Sequence, residues 1–342
     1  MPTSVITGVT GQDGAYLALQ LLERGHKVYG AYRRTSSVNF WRLEELGIRG
    51  HFPLVEFDLT DPGACLRVVE KTAPDYVFNL AAQSFVGVSF EQPISTAQMT
   101  GLGPLHLLEA IRHINDKIKF YQASTSELYG RAYAVPQNEE TPFHPRSPYA
   151  VAKLFGHWIT VNYREAYGIF ASSGILFNHE SPLRGCEFVT RKITNAVARI
   201  HLDKQDWLEI GNLEARRDWG FAPEYTRGMI LIMEHSQPET FVLATGKNAS
   251  VREFTEMAFA AIGVDLDWRG EGVDEVGICR RTGKILVKVN PALFRPAEVH
   301  ELVGDPSRAR KLLGWKTETP LRELCRLMVE VDVRRSKVGL SF

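Results

Sequence analysis

The chain reads TSVITGVTGQDG over Thr3–Gly14, and this stretch decides the fold. Thr3–Thr7 is rich in β-branched residues and predicts a strand, and a helical pattern follows over Ala15–Arg24. The turn between them holds three glycines: Gly8, Gly11 and Gly14. Glycines at this spacing permit a tight turn, close approach of the backbone to a pyrophosphate, and close packing of helix on strand. Because a helix N-terminus also favours anions, the stretch predicts a dinucleotide-binding turn, with an ordinary glycine-rich turn as the alternative.

Strands and helices alternate along the first half of the chain. Further apolar runs predict strands at Lys27–Tyr32, Leu54–Phe57, Tyr76–Leu80, Lys119–Ala123 and Phe170–Phe177. Helical patterns lie near Pro62–Thr72, Pro93–His113 and Pro148–Tyr167. This alternation implies right-handed βαβ units and an α/β fold, a Rossmann-type doubly wound parallel sheet with a smaller C-terminal α/β lobe. We expect the dinucleotide-binding domain at residues 1–180 with parts of 210–250, and a discontinuous substrate-binding lobe at 181–342.

The composition excludes several classes of protein. The 342 residues carry 40 Lys and Arg against 40 Asp and Glu, whereas a nucleic-acid-binding protein normally shows a basic excess. No apolar run approaches the roughly 18 residues of a membrane span, and the N-terminus does not resemble a signal peptide. The cysteines have no C-x-x-C or zinc-ligand spacing: Cys65, Cys186, Cys279 and Cys325. We therefore expect a cytoplasmic protein with no nucleic-acid partner, membrane contact or metal site.

The residues after the second predicted strand indicate which dinucleotide binds. An NAD-specific site places Asp or Glu here to accept a hydrogen bond from the ribose 2′-hydroxyl. This chain has Arg33 and Arg34 instead, and guanidinium groups are suited to a 2′-phosphate. The sequence predicts NADP, with an exposed basic turn as the alternative interpretation.

Tyr149 and Lys153 form a Y-x-x-x-K pair that would share one face of a helix. An ammonium group beside a phenol stabilises the phenolate and lowers its pKa from about 10. Such a tyrosine can exchange a proton with an alcohol while a nicotinamide exchanges a hydride. The predicted strand end at Ala123–Glu127 lies upstream, at the sheet edge where open α/β sheets bind ligands. Together these features predict a redox active site.

Longer motifs carry a resemblance to a known family over roughly residues 3–335. They are Gly8–Gly14, Asn79–Ser84, Gln122–Gly130, Pro145–Lys153, Phe177–Pro182, Phe188–Lys192, Arg217–Gly220 and Phe294–Val299. With them the chain resembles the extended short-chain dehydrogenase/reductases of nucleotide sugars and, among these, the GDP-mannose 4,6-dehydratase family. Ser126-Glu127 after Thr125 is similar to the GDP-mannose enzymes, whereas the dTDP-glucose dehydratases place Asp-Glu after this threonine.

The resemblance implies a catalytic role for four residues. Tyr149, assisted by Thr125 and Lys153, would take the C4 hydroxyl proton while the C4 hydride goes to NADP+. Glu127 would then remove the C5 proton as general base. Water would leave from C6 and the hydride would return to C6, which gives GDP-4-dehydro-6-deoxy-D-mannose and regenerates the cofactor.

The resemblance also implies two sets of binding residues. The cofactor set is Gly8, Thr10, Gly11, Gln12, Asp13, Gly14, Arg33, Asp58, Leu59, Leu80, Ala81, Ser84, Tyr149, Lys153, His179 and Arg184. The GDP-sugar set is Ser84, Ser126, Glu127, Asn178, Lys192, Arg217, Arg295 and Glu298. The family has an arm, here Arg33–Ser37, that reaches a neighbouring subunit, so we expect a homodimer or homotetramer.

Three alternatives stay open on the sequence. A 4,6-dehydratase of another GDP-sugar, such as GDP-heptose, would keep every motif, and Gly270–Val289, just before Arg295, is a candidate segment for tuning the sugar pocket. A GDP-keto-sugar reductase would consume NADPH stoichiometrically. A catalytically silent NADP-binding regulatory protein would share the fold, although it would be free to lose one of the four catalytic residues, all of which are present.

Overall fold

The structure is a computed structural model, and it describes residues 1–37, 39–294, 299 and 301–339. Its strands, numbered in chain order, are β1 Thr3–Thr7, β2 Lys27–Tyr32, β3 Leu54–Glu56, β4 Tyr76–Asn79, β5 Lys119–Thr125, β6 Ala171–Leu176, β7 Asn178–Glu180, β8 Leu208–Ile210, β9 Arg216–Arg217, β10 Trp219–Phe221, β11 Thr240–Leu243, β12 Ala249–Ser250, β13 Leu266–Arg269, β14 Val276–Cys279, β15 Ile285–Val289 and β16 Glu301–Leu302. Its α-helices are α1 Gln12–Glu23, α2 Trp41–Glu45, α3 Pro62–Thr72, α4 Val86–Glu91, α5 Pro93–Thr96, α6 Gly103–Ile114, α7 Pro148–Tyr167, α8 Val189–His201, α9 Ala222–Glu234, α10 Val251–Ala260, α11 Ser307–Leu313 and α12 Leu321–Lys337.

A parallel sheet of seven strands forms the centre of the fold, in the order β11-β6-β5-β4-β1-β2-β3. Helices α1 and α9 pack together on one face, and α3, α6 and α7 pack on the other. Because both faces are covered, the central strands are almost wholly buried. The predicted α/β fold class with a doubly wound parallel sheet is confirmed. The winding reverses between β1 and β4, so ligands are expected at the carboxyl ends of these two strands.

The main differences from the predicted elements lie at their ends. Helix α1 begins at Gln12 rather than Ala15, because its first turn includes the polar residues Gln12 and Asp13, which precede the apolar pattern. Strand β5 continues to Thr125, two residues beyond the predicted end. The helix predicted over Pro93–His113 consists of α5, a π-helical turn at Ala97–Leu102, and α6.

The later part of the chain forms a second layer of smaller sheets. A four-stranded sheet has the order β13-β14-β15-β8, a three-stranded sheet the order β12-β9-β16, and β10 pairs with β7. Helices α8, α10 and α12 pack around an apolar core that includes Phe254, Phe259 and Met328. Strand β11 is an edge strand of the main sheet and helix α9 packs on that sheet; both lie in the 210–250 part that is expected to belong to the dinucleotide-binding domain.

A buried ion pair connects helix α12 to helix α8, near the edge of the main sheet. Arg191 of α8 and Asp332 of α12 are both buried, and a guanidinium nitrogen lies 2.8 Å from a carboxylate oxygen. Another nitrogen of Arg191 donates to the backbone carbonyls of Pro182 (2.9 Å) and Arg184 (2.8 Å). Helix α12 therefore fixes the loop that follows β7, through Asp332 acting on Arg191 and through Arg335, which also donates to the carbonyl of Pro182.

Candidate active site

The turn between β1 and α1 has the geometry of a pyrophosphate cradle. Gly8 has a φ of +70°, which favours glycine. A Cβ on Gly14 would lie 2.4 Å from the carbonyl oxygen of Gly8 and 2.6 Å from the Cα of Val9. Helix α1 starts after Gly11 with no side-chain cap, so its first N–H groups are available to an anion. The residues present therefore fit a dinucleotide.

A chain of buried side chains holds the loop opposite this turn. The Thr7 hydroxyl donates to Asn79 Oδ1 (2.7 Å) and accepts from the backbone N–H groups of Leu80 (3.2 Å) and Ala81 (3.1 Å). Asn79 Nδ2 in turn donates to Gln122 on β5 (2.8 Å). Because these bonds join β1, β4 and β5, they fix the start of the loop at the point where the winding reverses.

Two adjoining cavities open at this sheet edge, and Leu80, Ala82 and Ser84 border both of them. The adenosine-side cavity, as we name it, is lined by these predicted cofactor residues: Gly8, Thr10, Gly11, Arg33, Asp58, Leu59, Leu80, Ala81 and Ser84. The catalytic cavity is lined by five more of them, Asp13, Tyr149, Lys153, His179 and Arg184, again with Leu80 and Ser84. A dinucleotide is an extended molecule, and the predicted cofactor residues are divided between the two cavities.

Gln12 and Gly14 line neither cavity and support the cradle from behind. The Gln12 amide donates to the carbonyl oxygen of His179 (3.1 Å) and accepts from the Ser181 hydroxyl (2.7 Å). Gly14 provides the close packing of α1 on the turn. Both residues were predicted to bind the cofactor, and the structure places them one layer away from the cavities.

The four residues predicted to be catalytic all line the catalytic cavity. Thr125 ends β5, and its hydroxyl accepts from the backbone N–H of Glu127 (3.3 Å) at the start of a short 3-10 helix. Tyr149 lies in the first turn of α7, where the Ser147 side chain caps the helix by accepting from the N–H of Ala150 (3.1 Å). The end of β5 and the start of α7 therefore place Thr125 and Tyr149 at the same cavity.

Lys153 lies one turn beyond Tyr149, and its ammonium is 5.9 Å from the centre of the Tyr149 ring. The ammonium donates to the backbone carbonyl of Ala123 (2.8 Å). Burial lowers the pKa of Lys153 to about 8, against the opposing effect of the Asp13 charge.

Burial raises the pKa of Tyr149 well above its ordinary value, although the hydrogen bond with Thr125 lowers it. The nearby charge of Glu127 raises it further. The expected lowering of this pKa is therefore wrong for the polypeptide alone, because removal of water from the phenolate has the largest effect on it.

An ion pair of His179 and Asp13 lines the catalytic cavity. His179 Nε2 is 2.8 Å from the carboxylate of Asp13, and Nδ1 is 2.7 Å from the carbonyl of Phe177. Both partners accept hydrogen bonds, which implies an imidazolium. Burial lowers the pKa of His179, but the charge and hydrogen bond of Asp13 outweigh it and raise the pKa overall. For Asp13 burial acts in the opposite direction and raises the pKa, but the charge and hydrogen bond of His179 outweigh it, so the pKa of Asp13 is lowered overall.

The residues predicted to bind the substrate divide between two places. Ser84, Ser126, Glu127, Asn178 and Arg217 line the catalytic cavity. Lys192 lies in a separate cavity beside Trp207 and Glu209, and we name this the outer cavity. The predicted residues Arg295 and Glu298 lie outside the described residues.

The segment Gly270–Val289 does not line the catalytic cavity. It forms the β14–β15 hairpin, which pairs with β13 and β8 in the four-stranded sheet. The segment therefore contributes no side chain to this cavity, and its part in tuning the sugar pocket stays a prediction. The nearest residue downstream that lines this cavity is Leu293.

Sequence reasoning missed an aromatic pair at the catalytic cavity. Phe85 and Phe188 meet edge to face with ring centres 5.9 Å apart, and the guanidinium of Arg184 lies 3.6 Å from the centre of the Phe188 ring. Buried Glu180 pairs with Arg184 at 3.1 Å. Phe85 directly follows one predicted motif, and Phe188 begins another. Because the two residues are about a hundred positions apart, no local sequence pattern predicts their contact.

Two kinds of feature are absent from the described part of the chain. In residues 1–37, 39–294, 299 and 301–339, no group of three or more His, Cys, Asp or Glu side chains is arranged to hold a metal ion. Over the same residues, no helix has the length and apolarity needed to cross a membrane.

The Rossmann strand order, the glycine cradle and the Tyr-Lys pair at the sheet edge define an enzyme of the extended short-chain dehydrogenase/reductase class. Solved structures agree on the fold. RMD from Pseudomonas aeruginosa complexed with NADPH has a TM-score of 0.77 at 22% identity, covering 98% of this chain and 100% of that one. The dTDP-glucose 4,6-dehydratase from Bacillus anthracis in complex with NAD has a TM-score of 0.80 at 16% identity, covering 98% of each chain.

Sequence comparison then identifies the family. Residues 5–328 match the family model described as GDP-mannose 4,6 dehydratase. The GDP-mannose 4,6-dehydratase of Sinorhizobium fredii is 54% identical over 337 residues, which cover 96% of both chains. The chain belongs to the GDP-mannose 4,6-dehydratase family, and the resemblance seen in its motifs is confirmed.

Proposed function

We propose that this protein dehydrates GDP-D-mannose to GDP-4-dehydro-6-deoxy-D-mannose with an NADP+ that it recycles internally. The observation that carries the proposal is the meeting of Thr125, Glu127, Tyr149 and Lys153 in one cavity. Hydride transfer at C4 and elimination across C5 and C6 need proton acceptors at different carbons, and the cavity has both a tyrosine and a separate carboxylate. The family match and the named relative favour this reaction over the heptose, reductase and silent-regulator alternatives.

The side chains of the cavity account for the proton transfers. Bound NADP+ would supply the chemistry that takes a hydride from C4 and returns it to C6. Tyr149, hydrogen-bonded to Thr125, accepts the C4 hydroxyl proton, and Glu127 accepts the C5 proton. Of the two protons so collected, one leaves with the C6 hydroxyl as water and the other returns to C5, so the reaction balances.

Lys153 gives Tyr149 the electrostatic help that its burial demands. Burial raises the pKa of the phenol, so an uncompensated phenolate would be costly. With a pKa of about 8, the ammonium is mostly charged at neutral pH. It is held in place by the carbonyl of Ala123, one helical turn from the phenol.

The preference for NADP over NAD is assigned to Arg33. This residue follows β2 and lines the adenosine-side cavity with Arg34, as a partner of a 2′-phosphate would. Replacing Arg33 with Ser is expected to weaken NADP+ binding about tenfold or more, since a hydrogen bond to a charged group is worth about 1.5–3 kcal/mol, and to leave NAD+ binding unchanged. Equal loss for both dinucleotides in calorimetric titrations would contradict the assignment.

For the nucleotide sugar, Arg217 in the catalytic cavity is assigned to the diphosphate. Lys192 lies in the outer cavity with Trp207 and Glu209, which suits the nucleoside end because it offers a ring to stack on and polar groups to bind base edges. Residues 181–342 would then supply most of the substrate lobe, and the sheet of residues 1–180 with parts of 210–250 would hold the cofactor.

A homo-oligomer is proposed from an apolar stripe on the outer face of α7. Val151, Phe155 and Trp158 are 55%, 43% and 54% exposed at helical spacing, and neighbouring Ile94 is also exposed. Covering such a stripe with a second copy would remove apolar surface from water. The exposed arm Arg33–Ser37 is available to a neighbouring subunit in either a dimer or a tetramer. Phe155→Asp should reduce the sedimentation coefficient, and an unchanged value would contradict this interface.

A cytoplasmic location is part of the proposal. Cys65, Cys186, Cys279 and Cys325 are all described and form no disulfide, which is the usual condition of thiols in a reducing compartment.

The first test is incubation of the purified protein with GDP-mannose and no added cofactor, read by mass spectrometry. Loss of one water without net oxidation is the expected result. If the mass does not change, the reaction is repeated with added NADP+, and failure there would refute the GDP-mannose assignment. The matched variant is Glu127→Gln, which should abolish dehydration while NADP+ and GDP binding stay near wild type. Unimpaired turnover by this variant would refute the assignment of the base.

A further inference from the structure

Asp218 lies between Arg217 and Trp219, two residues that line the catalytic cavity. Its side chain is 0% exposed, and the mechanism above gives it no role. We infer that Asp218 is a positioning residue, which holds Arg217 where the diphosphate of a nucleotide sugar would bind. This inference rests on the proposed function, because that function assigns the diphosphate to Arg217.

The carboxylate of Asp218 accepts four hydrogen bonds from two other segments of the chain. Its Oδ1 accepts from the backbone N–H of Thr245 (2.9 Å) and from the Thr245 hydroxyl (2.7 Å). Its Oδ2 accepts from the N–H groups of Gly246 (3.0 Å) and Gly304 (3.3 Å). One side chain therefore ties the β9–β10 junction both to the loop after β11 and to the residues after β16.

These two segments flank Arg217. Strand β9 has only two residues, and Arg217 pairs with Ala249 of β12 on one side and with Leu302 of β16 on the other. The loop that Asp218 binds leads directly into β12, and Gly304 lies two residues after the end of β16. Fixing both segments to Asp218 thus fixes both neighbours of the strand that carries Arg217.

The packing leaves little freedom in this arrangement. A Cβ on Gly304 would lie 2.3 Å from the Cβ of Ala244 and 2.7 Å from the ring of Phe177. The absence of a side chain at Gly304 lets its backbone reach the buried carboxylate. The backbone N–H of Asp218 also donates to the carbonyl of Leu302 (3.1 Å), so the same residue holds β16 from both its backbone and its side chain.

A carboxylate suits this position because all four partners are donors. Burial raises the pKa of Asp218 to about 6, and the bonds with Thr245, Gly246 and Gly304 oppose that rise. At neutral pH the group is therefore ionised and only accepts hydrogen bonds. An amide in its place would turn two N–H hydrogens toward the N–H groups of Gly246 and Gly304. Asp218→Asn thus keeps the volume but breaks the bonds on one side.

The experiment is a double-mutant cycle on the full-length protein with GDP as the probe. Asp218→Asn is expected to weaken GDP binding about tenfold, because a displaced Arg217 loses a charge-assisted hydrogen bond to the diphosphate. It should raise the KM for GDP-mannose while kcat and NADP+ binding change little. In the Arg217→Ala background it should add no further loss. Fully additive losses, or GDP binding by Asp218→Asn equal to wild type, would overturn the inference.

A matched control separates positioning from a general loss of stability. Glu224 is another buried carboxylate, and it accepts from the backbone N–H (3.0 Å) and the hydroxyl (2.7 Å) of Thr319. It does not line the described cavities. Glu224→Gln should lower the unfolding temperature and leave GDP affinity unchanged. An Asp218→Asn protein that behaves in the same way as this control would overturn the inference.

A milder variant keeps the test decisive if Asp218→Asn does not fold. Thr245→Val removes the hydroxyl bond to the carboxylate together with the bonds of that hydroxyl to the backbone of Lys247, and it should weaken GDP binding a few-fold in the same direction. Unchanged GDP affinity in this variant would overturn the inference when Asp218→Asn is insoluble. Wild-type protein that binds GDP but does not dehydrate GDP-mannose would refute the proposed function alone. Wild-type protein that does not bind GDP would overturn both.

Discussion

Replacing Gly14 with Ala tests the assignment of the β1–α1 turn as the cofactor cradle. The new Cβ would lie 2.4 Å from the carbonyl oxygen of Gly8 and 2.6 Å from the Cα of Val9. Both atoms are backbone, so no side chain can rotate away. Since interiors are close-packed, the start of α1 must retreat by at least about half an ångström. Overpacking of this kind costs about 1–3 kcal/mol, and we expect the upper end because backbone meets backbone.

The same displacement should weaken cofactor binding. The N–H groups at the start of α1 move away from the pyrophosphate, and a hydrogen bond to a charged group is worth about 1.5–3 kcal/mol. Loss of one such bond corresponds to about a ten- to hundredfold increase in the Kd for NADP+. The affinity is measured by calorimetric titration, and the free energy of unfolding by urea denaturation.

Two other glycines give a graded control. A Cβ on Gly11 would lie 3.2 Å from the Gly8 oxygen, and one on Gly101 would make an ordinary contact of 3.5 Å with the carbonyl of Ala152. The loss of NADP+ affinity should therefore be largest for Gly14→Ala, intermediate for Gly11→Ala and negligible for Gly101→Ala. Wild-type affinity in Gly14→Ala would refute the assignment of this turn.

Two further predictions concern pH. His157 is 3% exposed, and burial lowers its pKa from 6.5 to about 4. In this pH range the folded protein binds fewer protons at His157 than the unfolded chain does. The free energy of unfolding should therefore fall as the pH drops from 6.5 toward 4, by about 3 kcal/mol in total. His157→Phe should flatten that dependence in urea denaturation at pH 7 and pH 5, and parallel losses in both proteins would contradict the attribution to His157. Burial lowers the pKa of Lys153 to about 8, so kcat should fall as the pH rises through 8 and the ammonium loses its charge. Lys153→Arg, whose guanidinium stays charged, should shift that fall to higher pH whatever its absolute rate, and an unmoved profile would assign the fall to another group.

Features written in short stretches of sequence were predictable. The β-branched run Thr3–Thr7, the glycines after it and the i, i+4 spacing of Tyr149 and Lys153 each depend on local geometry. The alternation of strands and helices then fixed which edge of the sheet carries the site, because parallel strands linked by right-handed crossovers end on one side. The meeting of Thr125 with Tyr149 in one cavity follows from that topology.

Features that depend on distant segments were not predictable in this way. Strand β9 pairs with β12 and β16, and β8 pairs with β15. Strands of two to five residues are too short for their sequences to indicate which strands they pair with. The pKa of Tyr149 was misjudged for a related reason. Spacing shows that an ammonium is near, but it does not show how much water the surrounding chain removes. The same holds for Lys192, whose place in the outer cavity depends on β8 and α8 packing together.

The ion pair between Arg191 and Asp332 has a consequence for protein engineering. Asp332 lies near the end of the chain, yet it neutralises a buried guanidinium that also holds the carbonyls of Pro182 and Arg184. Removing one partner of a buried pair typically costs about 3–5 kcal/mol. Shortening the chain within α12 would therefore remove part of a helix and also the ion pair that holds the loop carrying Arg184 in place. Chimeras that exchange substrate lobes between relatives need to transfer α8 and α12 as one unit.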